Sequence, residues 1–346
     1  MSISRRARRE WRIILWVSVV AAMVSAGFGV RVGPADEWWL RSAAHGVVTS
    51  LMISTPILLL LTKGEELALL RRLKRSPLPV YFTIRVLIYF VVIVGGLLLA
   101  RLILSNDVVH YVQADPVFRK ALVFSIAMST VGNLFFEFGR LIGLGTLKHL
   151  LTGRYVQPRR EQKTFLLIDM KDSTGLAERL GPVRFHELLN DFFRDIADAA
   201  LECEAEIHKY VGDEAILTWP GNVGLADGAS LGCPFIARDF IAAHKARYLD
   251  RFGAVPEFRA ALHCGEIVAG EIGDVRREIA YVGDTLNVAA RLLDAAKEVG
   301  RDVLVSKDLL QRAKLPAGLK AEELPTLAVR GRAAPLEIAA LSRLQP

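Results

Sequence analysis

The sequence predicts two domains, an N-terminal bundle of four transmembrane α-helices and a C-terminal α+β domain. Of the 346 residues, 52% are apolar, a larger share than a soluble protein of this length usually has. The excess is confined to the first 150 residues, where the apolar stretches are long. Beyond that point, short apolar runs typical of strands alternate with segments of helical periodicity, which favours one sheet covered by helices.

Residues 1–144 form the predicted membrane domain, because four apolar stretches there are long enough to cross a bilayer. The hydrocarbon core of a bilayer requires about 20 helical residues, and helices buried in soluble proteins rarely run so far without a charge. The predicted spans are residues 13–30, 43–61, 80–104 and 121–144. The lipid bilayer is therefore a predicted partner.

Basic residues predict how these spans are oriented. The segment "SRRARREWR" precedes the first span and "KGEELALLRRLKRS" joins the second to the third, whereas the loops at 31–42 and 105–118 hold few Lys or Arg residues. By the positive-inside rule, the N-terminus and everything after the fourth span are cytoplasmic. We expect a multi-pass protein of the inner (plasma) membrane. The first span also resembles a secretory signal, whose cleavage would not move the C-terminal half.

The charge and the cysteines carry less information. Much of the formal net charge of +7 lies in clusters beside the membrane, where Lys and Arg set topology and attract anionic lipid, so we predict no nucleic-acid partner. Cys203, Cys233 and Cys264 have no metal-site spacing and lie in the predicted cytoplasmic half. They are expected to be reduced residues of the core.

Residues 145–160 are predicted to be a helical linker that couples the two domains. The segment "RLIGLGTLKHLLTGRY" can continue the fourth helix past the membrane, and Gly153 followed by Pro158 should end it. The C-terminal domain then occupies residues 161–346.

The C-terminal domain begins with "KTFLLIDM", an apolar run that suits a buried strand. Two helical pieces split near Gly181-Pro182 follow, and then the hairpin "IHKYVGDEAILTW". The remaining elements are a helix around "CPFIARDFIAAHKARYLDRFG", a strand "FRAALHCGEIVAGEIG" and a strand-to-helix unit "REIAYVGDTLNVAARLLDAAKEVG".

Two aspartates lie at the ends of neighbouring predicted strands. Asp169 ends an apolar strand and is followed by small polar residues, and Asp213 lies in a turn that Gly212 makes possible. Such a pair can hold hard divalent cations, which take oxygen ligands and are commonly shared with substrate phosphates. Taken singly, each aspartate has an alternative interpretation, as the cap of the helix near Thr174 or as part of an ordinary Gly-Asp turn.

A third segment favours the functional interpretation. In "YVGDTLNVAARL" a turn leads into a helix that places Asn287 and Arg291 four residues apart, hence on one face. Together the segments resemble the catalytic domain of class III nucleotidyl cyclases over residues 160–342. The matching motifs, in the family's order, are "FLLIDMKDST", "HKYVGDE", "LHCGEIVAGEIG", "YVGDTLNVAARL" and "VRGRAAP". The resemblance implies a ferredoxin-like, palm-type core of order βαββαβ.

The resemblance implies a role for each matching residue. Metal binding falls to Asp169 and Asp213 with the backbone carbonyl of Met170, and recognition of adenine to Lys209. The second base-selecting position, Asp, Thr or Ser in the family, is Ala280 here, so that purine selectivity depends more on Lys209. The other matches are Ser173 and Thr174 in the phosphate-binding turn, Asn287 for the ribose, Arg291 for the transition state and Arg330 for the terminal phosphates.

The function implied by the resemblance is conversion of ATP to 3′,5′-cyclic AMP and pyrophosphate with two Mg²⁺ or Mn²⁺ ions per site. It also implies a head-to-tail homodimer that shares its two sites between chains. The alternatives are a guanylate cyclase, a catalytically weak cyclase-like domain acting as a regulatory module, and a diguanylate cyclase. The last family would need a second glycine before the acid of "VGDE" and has no reason for Lys209.

The predicted membrane domain offers no comparable motif and is expected to bind an unknown ligand or regulator, or to serve as an anchor. His45 and His110 lie near the outer ends of spans, where a histidine pair can ligate haem, although an interfacial histidine in contact with water is commoner. Charged residues within or near the spans usually face the bundle interior or reach toward the interface. They are Arg85, Arg101, Glu137 and Arg140, of which the last two are a candidate pair.

Overall fold

The computed structural model describes residues 5–32, 38–63, 77–105, 116–275, 277–327 and 335–344. The chain forms two compact units, Met1–Leu141 and Ile142–Pro346.

The described residues of the N-terminal unit form four long helices. They are α1 (Arg5–Val32), α2 (Trp39–Lys63), α3 (Leu78–Ser105) and α4 (Pro116–Ile142). Within the described ranges, three segments are long and apolar enough to cross a membrane, namely Ile14–Val32, Trp39–Leu60 and Thr83–Ala100. These three agree with the first three predicted spans.

The fourth predicted span, 121–144, is not supported as clearly. The helix exists, but its uncharged stretch between Lys120 and Glu137 is shorter than the about 20 residues that a span requires. Ser125, Ser129 and Asn133 make that stretch more polar still. The structure therefore supports three of the four predicted spans, and at the fourth it shows a long helix of mixed character.

Small residues bring α1 and α2 close together. A Cβ atom at Gly29 would clash with the backbone carbonyl of Ser42, and one at Gly46 would clash with that of Ser25. Glycine therefore allows the two backbones to approach more closely than any larger residue would.

Arg85 and Glu137 form an ion pair between α3 and α4, and the Arg85 side chain also donates to the hydroxyls of Tyr81 and Tyr89, each at 2.8 Å. Glu137 thus pairs with Arg85, and its predicted pairing with Arg140 stays a prediction. The side chains of Arg140 and Arg101, and the whole of His110, lie outside the described residues.

A short helix, α5 (Leu144–Thr152), opens the second unit. The linker helix is not continuous with α4, because Gly143 between them has φ 86°, outside the helical region. Gly153 ends α5 in the left-handed conformation, with φ 63°, as predicted.

Eight strands form one mixed sheet in the described part of the second unit. Their order is β2-β3-β1-β4-β6-β8-β7, with β5 paired to β4, and only the β4–β6 pair is parallel. The strands are β1 (Arg159–Met170), β2 (Glu206–Val211), β3 (Glu214–Pro220), β4 (Phe258–Ile272), β5 (Glu278–Val282), β6 (Val303–Ser306), β7 (Leu319–Leu327) and β8 (Leu336–Arg343).

Helices cover both faces of this sheet. On one face, Leu166 and Ile168 of β1 pack with residues of α6 (Ser173–Glu202) and α7 (Ala229–Ala243). On the other face, Phe165 and Leu167 pack with α9 (Asp284–Glu298). The remaining helices are α8 (Lys245–Phe252) and α10 (Lys307–Arg312). From β1 to β4 the element order is βαββαβ once α7 and α8 are taken together, as the resemblance implies.

Local predictions in this unit are confirmed. Gly181, with φ 73° and ψ 162°, breaks α6 just before Pro182. Cys203, Cys233 and Cys264 are buried and free.

One buried carboxylate ties α6 to α8. Asp195 is fully buried and accepts hydrogen bonds from Tyr248 Oη at 2.6 Å and Arg247 Nη2 at 3.2 Å, and lies 2.9 Å from His244 Nδ1. Removing the acceptor of a buried hydrogen bond leaves its donor unsatisfied.

We expect Asp195→Ala to destabilise the protein by about 1–3 kcal/mol, because the buried Tyr248 hydroxyl would lose its acceptor, whereas Arg247 would keep Asp191 as a neighbouring carboxylate. The midpoint of chemical denaturation of the purified chain measures the change. Asp250→Ala, at an exposed position of α8, is the matched control and should stay within about 0.5 kcal/mol. Equal effects of the two substitutions would contradict the assignment.

Candidate active site

Antiparallel pairing of β1 with β3 brings three carboxylates together. Asp169 lies opposite Glu214 in the register, and Asp213 immediately precedes Glu214 in the β2–β3 turn. Gly212 makes that turn with φ 62°, a conformation that glycine adopts without strain. Asp169 belongs to β1 and does not cap a helix, so the capping alternative does not apply to it.

Burial and neighbouring carboxylates raise the pKa values of Asp169 and Glu214. Burial, and then the charge and hydrogen bonding of Asp213, raise the pKa of Asp169 to about 6. Burial, together with Asp169, Asp213 and Asp294, raises the pKa of Glu214 to about 7. Such a concentration of half-buried negative charge favours either a proton or a cation. Sequence analysis did not single out Glu214, although its place in "VGDE" beside Asp213 was a usable signal.

The segment after Asp169 turns sharply. Met170 is buried at the end of β1, Asp172 has φ 54°, and α6 starts at Ser173. A Cβ atom at Gly175 would lie 2.5 Å from Asp172 Oδ1, so only glycine fits there without a shift. Ser173 and Thr174 thus lie in the first turn of α6, where free backbone N–H groups and the helix dipole favour an anion.

The predicted base-selecting residues lie on two different strands. Lys209 is exposed on β2, and its Nζ lies 3.7 Å from Glu278 Oε2 at the start of β5. Ala280 is on β5 opposite Gly270 of β4. The ion pair links the two strands that carry Lys209 and Ala280.

Asn287 and Arg291 lie on the exposed face of α9. The opposite face of the helix is buried through Val288, Ala289 and Leu292, which fixes the direction of the exposed pair. Near the start of α9, Thr285 Oγ1 donates to the backbone carbonyl of Glu266 at 2.7 Å. Arg330 lies outside the described residues.

The single chain therefore brings some of the predicted residues together and leaves others apart. Asp169 and Asp213 are neighbours, whereas Lys209, Asn287 and Arg291 face solvent. The basic residues with the largest effect on Asp169 are Arg259 and Lys297. Within the described ranges, no group of three or more His, Cys, Asp or Glu side chains is arranged to hold a metal ion.

An aromatic stack lies next to Lys209 of β2. The rings of His208 and Tyr281 stack with their centroids 4.3 Å apart, and Lys163 Nζ lies 4.8 Å from the centroid of Tyr281. Burial, followed by the nearby Lys209 and Lys163, lowers the pKa of His208 to about 4. Sequence analysis missed these three residues, although His208 is adjacent to Lys209 and Tyr281 to Ala280.

The stack extends to the linker. Tyr155 is buried, its hydroxyl donates to Glu161 at 2.9 Å, and its backbone carbonyl accepts from the N–H of Glu271 on β4 at 2.9 Å. Tyr155 belongs to the same buried cluster as Phe165, whose ring contacts Tyr281 at 5.8 Å. The linker is therefore packed against the elements that position Lys209 and Ala280.

Comparison with known proteins decides the family. The family model of the adenylate and guanylate cyclase catalytic domain matches residues 155–339. The chain belongs to this cyclase family. It is also 35% identical over 338 residues to "Adenylate cyclase 2" of Rhizobium meliloti (strain 1021), an alignment that covers 96% of this chain and 92% of that protein. The similarity therefore extends through the N-terminal helices.

Two further comparisons concern the catalytic domain and the fold. An "Adenylate cyclase" of Anabaena cylindrica is 26% identical to this cyclase over 166 residues, covering 44% of this chain and 31% of that protein. The structure of a bacterial light-regulated adenylyl cyclase matches with a TM-score of 0.54 at 14% identity and covers 66% of each chain. At that identity the structural match shows the fold alone.

We expect His208 to make this cyclase less stable in acid. Its pKa is lower in the folded chain, about 4, than the ordinary value of 6.5, so folding favours neutral His208. That stabilisation is complete above pH 6.5 and is lost as the pH falls toward 4. The fall in melting temperature between pH 7.5 and pH 5 should be smaller in His208→Phe by about 2–4 °C.

The control is the same substitution at the exposed His186, which should leave the pH dependence of the melting temperature as in the wild type. A His208→Phe protein with the wild-type pH dependence would show that His208 is not held neutral by burial.

Proposed function

We propose that this cyclase is a membrane-anchored adenylate cyclase that converts ATP to 3′,5′-cyclic AMP and pyrophosphate. The observation that carries the proposal is the half-buried pair Asp169–Asp213 at the end of β1, in a chain of the cyclase family. The likeness to a relative named as an adenylate cyclase over nearly the whole chain supports ATP as the substrate. A product assay with purified protein, ATP or GTP, and Mg²⁺ or Mn²⁺ tests it directly.

The carboxylates fit divalent cations. Burial and the charge of Asp213 raise the pKa of Asp169, so a cation between them would be favourable, and oxygen ligands are those that Mg²⁺ and Mn²⁺ prefer. We propose that both aspartates and the backbone carbonyl of Met170 hold two such ions. When bound, the ions would lower the pKa of the ribose 3′-hydroxyl and neutralise charge on the departing pyrophosphate.

The other residues position the nucleotide. The ribose 3′-oxygen attacks the α-phosphorus in line, a new P–O bond forms, and the bond to the bridging oxygen breaks to release pyrophosphate. We propose that the turn at Ser173 and Thr174 binds phosphate, that Asn287 orients the ribose, and that Arg291 stabilises the charge on the α-phosphate. Arg330 is proposed to contact the terminal phosphates.

The complete site is proposed to form between two chains in a head-to-tail homodimer. One chain would provide Asp169 and Asp213, and the partner would provide Lys209, Asn287 and Arg291. One observation supports this: the latter three side chains are exposed in the single chain. Each dimer would contain two equivalent sites.

The location and the domain boundaries are also proposals. Three candidate spans are compatible with a membrane protein. We propose that α4 is a fourth span, because an even number of spans returns the chain to the side of its N-terminus. The protein is then a multi-pass protein of the inner membrane with a membrane domain at 1–144, a linker at 145–160 and a cytoplasmic catalytic domain at 161–346. The basic segments at residues 4–12 and 63–76 support a cytoplasmic N-terminus.

Two other functions remain to be tested against this one. A guanylate cyclase is less favoured because Lys209 stands where guanylyl-selective members of the family usually carry an acid. A catalytically weak regulatory domain is less favoured because the principal catalytic positions carry the expected residues, Ala280 being the exception.

The shared site predicts complementation between inactive chains. Asp169→Ala and Arg291→Ala should each abolish cyclic-AMP production, because one removes a metal ligand and the other removes transition-state stabilisation. Coexpressed, they should recover about a quarter of wild-type activity, since about half of the dimers are mixed and each mixed dimer has one intact site.

The matched control combines Asp169→Ala with Asp213→Ala, which damage the same half of the site and should not complement. Mixed dimers of the first pair that stay inactive would contradict the shared site. Single aspartate variants with near-normal turnover would contradict the metal assignment.

Base choice is predicted to depend on Lys209. Lys209→Glu should lower kcat/KM for ATP by about 10- to 100-fold, the loss expected for a hydrogen bond to a charged donor. It should not create efficient turnover of GTP, because Ala280 offers guanine no side-chain partner. The measurement is kcat/KM for both nucleotides.

Glu278→Gln is the control, since it removes the Lys209–Glu278 ion pair and leaves the lysine in place. An equal loss in Glu278→Gln, or a wild type that prefers GTP, would show that Lys209 does not read the base.

A further inference from the structure

A cavity of about 740 Å³ lies within the N-terminal unit. Residues of α1, α2, α3 and α4 line it, and most of the lining side chains are apolar. Its volume falls within the range of about 300–1,000 Å³ that small-molecule sites occupy. In the described part of the chain, the lining contains no Asp or Glu.

The cavity exists because α4 is held by large side chains on either side of a small-residue segment. Near one end, Phe124 stacks on Phe28 of α1 with the ring centroids 4.1 Å apart. Near the other end, Glu137 pairs with Arg85 of α3. Between these contacts α4 presents Ser125, Ser129 and Gly132 to the cavity. A Cβ atom at Gly132 would meet no atom of the described residues within 4 Å.

Polar atoms in the cavity lack partners. Asn133 lines the cavity and is only 3% exposed, yet its Oδ1 accepts no hydrogen bond within the described ranges. The same holds for the buried hydroxyl oxygens of Ser54 and Ser129, which also line it. A buried polar group without a partner costs about 1–3 kcal/mol.

Asn133 is the decisive residue among these three. A hydroxyl can donate to the carbonyl one turn back in its own helix, as Thr130 does to Ile126 at 2.8 Å. Asn133 Oδ1 is an acceptor and needs a donor, but N–H groups inside a helix already bond their own carbonyls. The acyl chains of lipids have no donor to offer.

We infer that the cavity is a binding site for a neutral, lipid-soluble molecule whose hydroxyl donates to Asn133 Oδ1. The apolar lining accepts the body of such a molecule, and the absence of carboxylates from the described lining gives no reason for a cation. The basic residues of the lining are Arg41 and His45, and Arg41 already has an interaction partner. This inference concerns the membrane helices alone and does not depend on the cyclase reaction.

A matched pair of probes tests the inference on the full-length chain in detergent. Native mass spectrometry should show one 1-hexadecanol per chain, bound at least about fivefold more tightly than hexadecane, the ratio that one net hydrogen bond of about 1 kcal/mol gives. In Asn133→Leu the two probes should bind equally. Thr130→Val, an exposed position on the same helix, should behave like the wild type.

Gly132→Leu provides a second test, because it fills the cavity without changing Asn133 and should reduce binding of both probes. Circular dichroism confirms that each variant keeps its helices. Equal binding of hexadecanol and hexadecane to the wild type would overturn the inference. So would hydroxyl-dependent binding that persists in Asn133→Leu, or a dimer through these helices that binds neither probe. Cyclase activity is not the readout, so these outcomes leave the proposed reaction untouched.

Discussion

Repulsion between carboxylates at the end of β1 is the constraint on which the catalytic domain depends. Asp169, Asp213 and Glu214 are held together by the pairing of β1 with β3, and burial on both faces of β1 prevents the strand from sliding to relieve the repulsion. Part of the folding free energy therefore offsets the repulsion between these carboxylates. A bound cation reverses the sign of that interaction, which is why the same residues suit a metal-dependent phosphoryl transfer.

Side-chain contacts near this cluster hold β1, β2 and β5 together. The stack of His208 on Tyr281, with Lys163 over the same ring, joins β2, β5 and β1 through side chains rather than through backbone pairing. Tyr155 of the linker belongs to the buried cluster that contacts this stack. Through these contacts the linker packs against β4 and β5, and β5 carries Ala280.

Different interactions pack the helices of the N-terminal unit. Close approach of α1 and α2 depends on glycines, and α4 is attached by an aromatic stack and an ion pair. That difference leaves space beside Asn133. The helices α1 and α2 are therefore tightly packed, whereas the space beside α4 forms the inferred binding site.

The sequence alone determined the features that depend on neighbouring residues. Strand ends at Asp169, the glycine turn before Asp213, the break at Gly181 and the exposed pair on α9 were all visible as short patterns, because backbone preference and periodicity act locally. Three of the four predicted spans also followed from length and apolarity. Only the tertiary structure decided the partner of Glu137, the stack beside Lys209 and the cavity at Asn133. Each of these arises from residues on separate elements, whose spacing is set by packing and cannot be deduced from a local pattern.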